Sequence, residues 1–306
     1  MTRDARLRDA GQALSRVSCP EVSCPSNAKI ANIVQKISIF AAVKSLEHII
    51  TPIQGELAQF EAFFSQTLKA DTEPMDTIMH YVGETQGKRL RPLLVLLSAK
   101  LFGEVNEKTL RAATFVEMVH SATLIHDDVV DDSDQRRDRA SVKAHFGNLS
   151  AVLAGDYLLA KAMLLLARPD DYAILQEMLR TTAAMSEGEL MQNIVADCVS
   201  QSEKTTKYLD IITRKTALLM RSCCVTGAIS VGATEEQIQQ ISDFGMNFGI
   251  LFQLRDDILD GENAEQALAL LPNYLQKTWD SLQHFPDSET LEALRDLTVF
   301  CAERER

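Results

Sequence analysis

An all-α bundle is the fold class that this 306-residue chain predicts, and three observations carry the expectation. Apolar residues recur at intervals of three and four over long stretches, as buried helix faces require. Glycine (13) and proline (8) are few for the length, which favours long helices over a turn-rich β fold. Strand-like alternation of apolar and polar residues does not persist over any useful length.

Residues 1–35 form a polar, Ser/Pro-containing stretch without periodicity and are expected to be disordered. One helical domain is expected over 36–306. A cationic group, Gly87-Lys88-Arg89-Leu90-Arg91-Pro92, precedes an apolar helix beginning near Leu93. Phe115, Met118, Val119, Ala122, Ile125 and Val129 keep the spacing of one buried helix face, and Ile238, Ile241, Gly245, Phe248 and Phe252 do the same. Lys215-Thr216 opens a further apolar stretch, and Gly103, Gly147 and Gly261 fall where helices would stop.

Bulk properties narrow the function. The net charge of −12 argues against broad nucleic-acid binding, which needs a basic footprint. No apolar run is read as approaching the roughly 20 residues of a membrane span, so no transmembrane segment is expected. The first residues lack the apolar core of a signal peptide, and a cytoplasmic protein is the simplest reading. The six cysteines show no framework spacing; Cys19 and Cys24 lack a second pair and a nearby histidine, which argues against zinc. Cys223-Cys224 reads as core filling.

Two aspartate clusters carry the chemistry: Asp127-Asp128-Val129-Val130-Asp131 and Asp256-Asp257-Ile258-Leu259-Asp260. Each places carboxylates at i, i+1 and i+4, so the first and last share a helix face. Each ends an apolar stripe, where bare carboxylates are costly to desolvate. A single acidic cluster would read as a solvated helix end. Two of the same pattern, 129 positions apart (256 minus 127), call for cations. Oxygen-only ligands point to a hard ion such as Mg²⁺, with Mn²⁺ as a substitute, and Mg²⁺ typically adds substrate phosphates to one or two carboxylates. On facing helices the two sets would cage a diphosphate. His120 precedes Asp127 by seven residues on nearly the same face, Arg136-Arg137 follow the first cluster, and Gly249, Gln253, Asp256 and Asp260 form one polar stripe. Arginine forks and lysine charges suit phosphate oxygens.

Together these motifs resemble the trans-isoprenyl diphosphate synthase (polyprenyl synthetase) family. The matching residues, in order, are Gly87–Pro92, Glu117–His120, His126–Asp131, Ser133–Arg137, Gly155–Leu158, Glu187–Glu189, Lys215–Ala217 and Phe252–Asp260, and the resemblance spans about residues 40 to 260. It implies an orthogonal helix bundle of the isoprenoid synthase type around a central apolar cavity. It also implies a Mg²⁺-dependent trans-prenyltransferase that condenses isopentenyl diphosphate head-to-tail onto an allylic diphosphate, farnesyl or geranyl, and acts as a homodimer packed through helices. By the same resemblance, Gly87, Lys88, Arg91, His120 and Arg137 belong to the isopentenyl diphosphate site. Arg136, Lys215, Thr216 and Gln253 would contact the allylic diphosphate. Asp127, Asp131, Asp256 and Asp260 would serve the metals, with Asp128 and Asp257 close to them in the catalytic set. The pocket floor in the family lies just upstream of the first motif, here at Val119, Ala122 and Thr123. None is aromatic, which resembles long-chain, octaprenyl-type members that supply quinone side chains.

The chain also departs from the family. Asp138-Arg139-Ala140 replaces the usual Gly, basic residue and Pro after the arginine pair. Only 46 residues (306 minus 260) follow the second motif, and a lysine-bearing loop and several helices expected there are missing, as if deleted internally. That loss is expected to expose apolar surface and leaves a catalytically impaired partner subunit as an alternative function. A terpene cyclase, which shares the ionisation chemistry, would not need Lys88, Arg91 and His120.

Overall fold

The computed structural model describes residues 45–84, 87–194 and 201–304, so the expected disorder of residues 1–35 lies outside it. The described chain is helical throughout: α1 (Leu46–Ile50), α2 (Gln54–Leu68), α3 (Glu73–Glu84), α4 (Leu90–Phe102), α5 (Glu107–Val130), α6 (Val142–Phe146), α7 (Asn148–Leu166), α8 (Tyr172–Ile194), α9 (Gln201–Ile212), α10 (Leu218–Ser230), α11 (Glu235–Asp260), α12 (Ala264–Ser281) and α13 (Glu289–Glu303). Two-residue strands β1 (Gln135–Arg136) and β2 (Arg139–Ala140) make the one sheet among the described residues.

The two long helices that carry the aspartates are both started by local sequence. Asn106 and Thr109 form a capping box that starts α5, and Thr234 and Gln237 form another that starts α11. Gly103, Gly147 and Gly261 follow the last residues of α4, α6 and α11, as expected. The core is built around α4, whose residues from Pro92 to Ala99 are all buried against α5 and α10. Phe115 on α5 and Phe244 and Phe248 on α11 fill the same core.

Helix α7 is 19 residues with mean hydropathy 1.7, long and apolar enough by length and composition alone to cross a membrane. Asp156 and Lys161 break its apolar run in the sequence, which hid it. One face of α7 (Ala151, Ala154, Leu158, Ala162, Leu166) is buried, while Leu149, Val152, Leu153, Met163 and Leu164 are exposed. No large apolar side chain is exposed over residues 261–304, so the expected exposure of apolar surface is not found in that segment. Helix α12 lies directly along α11 and buries Ala267, Leu271 and Leu275. Among the described residues the exposed large apolar side chains lie at the end of α5, on α7 and on α8.

Candidate active site

Asp127 sits in the last turn of α5 and lines a cavity of about 430 Å³. The same cavity is lined by Arg91, His120, Thr123, Lys215 and Thr216, with Leu124, Met185, Leu190 and Leu219 as its apolar walls. Lys215 and Thr216 are delivered by a π-helical turn, Thr213–Ala217, between α9 and α10. This turn is held where two glycines let neighbouring helices close on it. A Cβ at Gly188 of α8 would lie 2.9 Å from the Lys215 backbone nitrogen, and one at Gly249 of α11 would lie 2.5 Å from Ala217 Cα.

The charges around Asp127 are crowded. Burial, with the Glu189 and Asp131 carboxylates, pushes Asp127 up to about 6, against the opposing pull of Lys215 and Arg136. Lys215 pairs with Glu189 at 2.6 Å and donates to Gln192 Oε1 at 3.0 Å. Asp128, turned into the protein, is clamped by Arg136 through Nε at 2.8 Å and Nη2 at 2.7 Å. Asp131 caps the helix and is exposed.

The second aspartate set joins through hydrogen bonds. Thr216 donates to Gln253 Oε1 at 2.6 Å, and Gln253 Nε2 donates to Asp257 Oδ1 at 2.7 Å. The Tyr208 hydroxyl donates to the other Asp257 oxygen. Burial raises both Asp256 and Asp257; the Arg304 charge opposes it at Asp256, and the Tyr208 and Gln253 hydrogen bonds oppose it at Asp257. Asp256 pairs with Arg304 at 2.5 Å, and that guanidinium lies 4.1 Å over the Phe252 ring. Asp260 is exposed at the end of α11. The Lys215 charge acts on both Asp127 and Asp257, one carboxylate from each set.

The cationic motif at 87–92 divides its work. Arg89 is held by Glu117 at 2.7 Å and Glu61 at 2.9 Å, a structural role. Arg91 Nη1 lies 2.9 Å from His120 Nε2. Burial, then the charges of Arg91, Arg137 and Arg136, hold His120 well below its ordinary value, so the neutral ring accepts from Arg91. Arg91 Nε is buried without a partner. Lys88 is exposed, with its ammonium 5.9 Å over the Phe300 ring. The β1–β2 hairpin turns through Arg137 and Asp138, both at positive φ (52° and 62°), and sets Arg137 directly on Gly87, where any side chain would strike the guanidinium. Arg136 and Arg137 line a smaller cavity of about 60 Å³ with His120 as shared wall.

Of the expected floor residues, Thr123 lines the large cavity, while Ala122 and Val119 are fully packed in the core beside it. Sequence reasoning did not assign Glu189, Tyr208, Met185, Leu219 or Arg304 to the site. Glu189 lies in the matching motif Glu187–Glu189, which was its one signal; nothing local marked the others, and Arg304 stands among alternating charges (Glu303-Arg304-Glu305-Arg306).

The carboxylates fit divalent cations that bring their own further ligands. Among the described residues no three His, Cys, Asp or Glu side chains converge on one point. Asp127 and Asp256 are nonetheless pushed up by burial and by neighbouring carboxylates, a crowding that cations relieve. Cations that take one or two carboxylates and complete their shells with phosphate and water suit that spread.

The polyprenyl synthetase family model matches residues 72–269. The chain belongs to this family. It is 39% identical over 201 residues to the octaprenyl diphosphate synthase of Haemophilus influenzae, covering 66% of this chain and 60% of that one. It is 32% identical over 216 residues to the octaprenyl diphosphate synthase of Escherichia coli, covering 71% and 66%. These matches therefore span somewhat less than two thirds of those relatives' length. Among solved structures, a Caulobacter crescentus polyprenyl synthase complexed with calcium and isoprenyl diphosphate superposes with TM-score 0.78 at 26% identity, covering 87% of this chain and 100% of that one. A Rhodobacter capsulatus decaprenyl diphosphate synthase superposes with TM-score 0.77 at 27% identity, covering 86% and 100%. The fold is the all-α isoprenoid synthase fold.

Proposed function

We propose that this family member is a trans-prenyltransferase that adds isopentenyl diphosphate head-to-tail to an allylic diphosphate and makes a long-chain, octaprenyl-type polyprenyl diphosphate for quinone side chains. The observation that carries the reading is that Asp127, Lys215, Thr216, Arg91 and His120 line one cavity together with apolar Leu124, Met185, Leu190 and Leu219.

In this reading Lys215, Thr216 and Gln253 hold the allylic diphosphate, and Arg136 turns from Asp128 to its oxygens. Lys88, Arg91 and Arg137 hold the isopentenyl diphosphate, with Gly87 making room for Arg137 and neutral His120 orienting Arg91. Divalent cations, Mg²⁺ with Mn²⁺ as substitute, would be held by Asp127 and Asp131 and by Asp256 and Asp260, and when bound they neutralise the leaving diphosphate. Breaking the C–O bond leaves its electron pair on the diphosphate and an allylic cation among Leu124, Met185 and Leu219, where water is excluded. The isopentenyl double bond attacks that cation to form the new C–C bond. The tertiary cation that results loses a proton to the released diphosphate.

Arg304 bears on the shortened segment after Asp260. It brings a guanidinium to Asp256, and we assign it the local charge that the expected lysine loop would supply. The exposed apolar face of α7 supports a homodimer packed through helices. We also read residues 36–306 as one synthase domain. A catalytically impaired partner subunit fits less well, because it would need neither aspartate set nor Lys215 around the cavity.

Calorimetry with inorganic diphosphate tests the site. Binding that requires Mg²⁺ and weakens at least about tenfold in Lys215→Ala is the expected result. Binding that ignores Mg²⁺ would count against the assignment.

A further inference from the structure

The stretch from Asp127 to Asp134 holds aspartates at 127, 128, 131, 132 and 134. Two basic side chains engage three of them. Arg136 clamps Asp128, and Lys143 of α6 pairs with Asp132 at 2.5 Å and with Asp134 at 3.1 Å. The Lys143 side chain is only 8% exposed, whereas those of Asp132 and Asp134 are 92% and 77% exposed. Among the described residues, no cationic side chain forms an ion pair with Asp127 or Asp131. The loop between is tied on both sides. The Asp131 and Ser133 N–H groups donate to the Asp127 and Asp128 carbonyls at 2.8 and 2.9 Å, which folds it onto the end of α5. Ser141, the cap of α6, donates its hydroxyl to the Ser133 carbonyl at 2.8 Å and its N–H to the Asp134 carbonyl at 2.9 Å. Lys143 lies two residues past that cap, so the same cap delivers its ammonium to the loop.

We infer that Lys143 sorts this acidic run: it withholds Asp132 and Asp134 from divalent cations and leaves Asp127 and Asp131 to bind them. The inference rests on the metal–diphosphate reading of the site. Hard cations accept any nearby carboxylate oxygen, so an unpaired Asp132 or Asp134 competes with Asp127 for an ion at Asp131. Asp127 lines the large cavity and Asp132 and Asp134 do not, so that competition draws the ion out of reach of a diphosphate held there. An ion pair between two exposed side chains would not hold them back. Here the buried stem confines the ammonium, and its donors divide between the two carboxylates. Lys143 is thus a positioning residue that acts through the carboxylates it occupies. A tether with no bearing on cations would lower the thermal midpoint when removed and leave ion binding as it was.

The test counts Mn²⁺ bound to the full-length protein by electron paramagnetic resonance, with and without inorganic diphosphate. The wild type is expected to bind Mn²⁺ weakly alone and tightly with diphosphate. Lys143→Met keeps the long stem and removes the charge. It should gain one Mn²⁺ ion without diphosphate, held at least about tenfold more tightly than the wild type holds any. Lys143→Arg should behave as wild type, and Asp132→Asn added to Lys143→Met should remove the extra ion. If Lys143→Met does not fold, Asp132→Asn combined with Asp134→Asn in otherwise wild-type protein serves. Its Mn²⁺–diphosphate binding should stay within about twofold of wild type although its thermal midpoint falls. A folded Lys143→Met with the wild-type ion count, or a loss of about tenfold in the paired aspartate variant, would overturn the role of Lys143 alone. A wild type that binds diphosphate no better with Mn²⁺ than without it would overturn the site reading and this inference with it.

Discussion

Arg304 Nη2 donates to Asp256 Oδ1 at 2.5 Å, across 48 positions of sequence, and Arg255 in turn donates to the Arg304 carbonyl at 2.9 and 2.7 Å. The second aspartate set therefore carries its own counter-cation, with Arg304 Nε buried and unpartnered. Arg304→Gln should lower the thermal midpoint of the metal-free protein, since removing one member of a largely buried pair strands the other. The same variant should show a larger Mg²⁺-induced rise in that midpoint, because Asp256 is freed for the metal. Differential scanning fluorimetry with and without Mg²⁺ checks both; an unchanged metal response would contradict this role.

Asp127 links metal binding to protons. Its carboxyl is pushed up to about 6, above the unfolded value, so between roughly 4 and 6 the folded state binds more protons than the unfolded state. Stability contributed by this group is therefore lost as pH rises through that window, and ionised Asp127 burdens the metal-free fold above it. Asp127→Asn should raise the midpoint of the metal-free protein at pH 8 while weakening Mg²⁺–diphosphate binding. In the wild type, metal affinity should fall as pH drops below about 6, with proton release detectable by calorimetry in two buffers of different ionisation enthalpy. Binding without proton release at pH 6 would contradict the assignment.

The hairpin that presents Arg136 and Arg137 holds two L-residues at positive φ. Asp138→Gly should stabilise the protein by about 1 kcal/mol, because left-handed geometry penalises side chains and not glycine. Denaturant melts would measure it. Gly87→Ala should do the reverse locally, displacing Arg137 and weakening isopentenyl diphosphate binding while leaving the global midpoint within a few degrees.

The helical skeleton was legible because the buried faces of α5 and α11 keep their spacing without interruption from Phe115 to Ile125 and from Ile241 to Leu254. The aspartate sets, Lys215 and His120 were legible because their chemistry is local and unusual. Other features were not. Glu189 and Arg304 acquire meaning only through Lys215 and Asp256, distant in sequence and adjacent in space. The π turn depends on Gly188 and Gly249 closing from two sides, which no local pattern encodes. Helix α7 was missed because Asp156 and Lys161 lie among apolar residues on a helix with two different faces.

That exposed face of α7 makes its own prediction. Leu149, Val152 and Leu153 near the start of α7 and Met163 and Leu164 near its end share one face, with exposed Asp156 between them, so a second copy can cover two apolar patches there. Leu153→Glu combined with Leu164→Glu should convert a dimer of the wild type to a monomer in light scattering. A monomeric wild type would remove the dimer from the account.

Elongation of prenyl chains by this protein is the proposed activity on which the site assignments depend. It is tested most directly by turnover with labelled isopentenyl diphosphate, farnesyl diphosphate and Mg²⁺, resolving products by chain length. Long polyprenyl products that disappear in Asp127→Ala are expected. Folded, Mg²⁺-supplied wild-type protein that incorporates no label would contradict it.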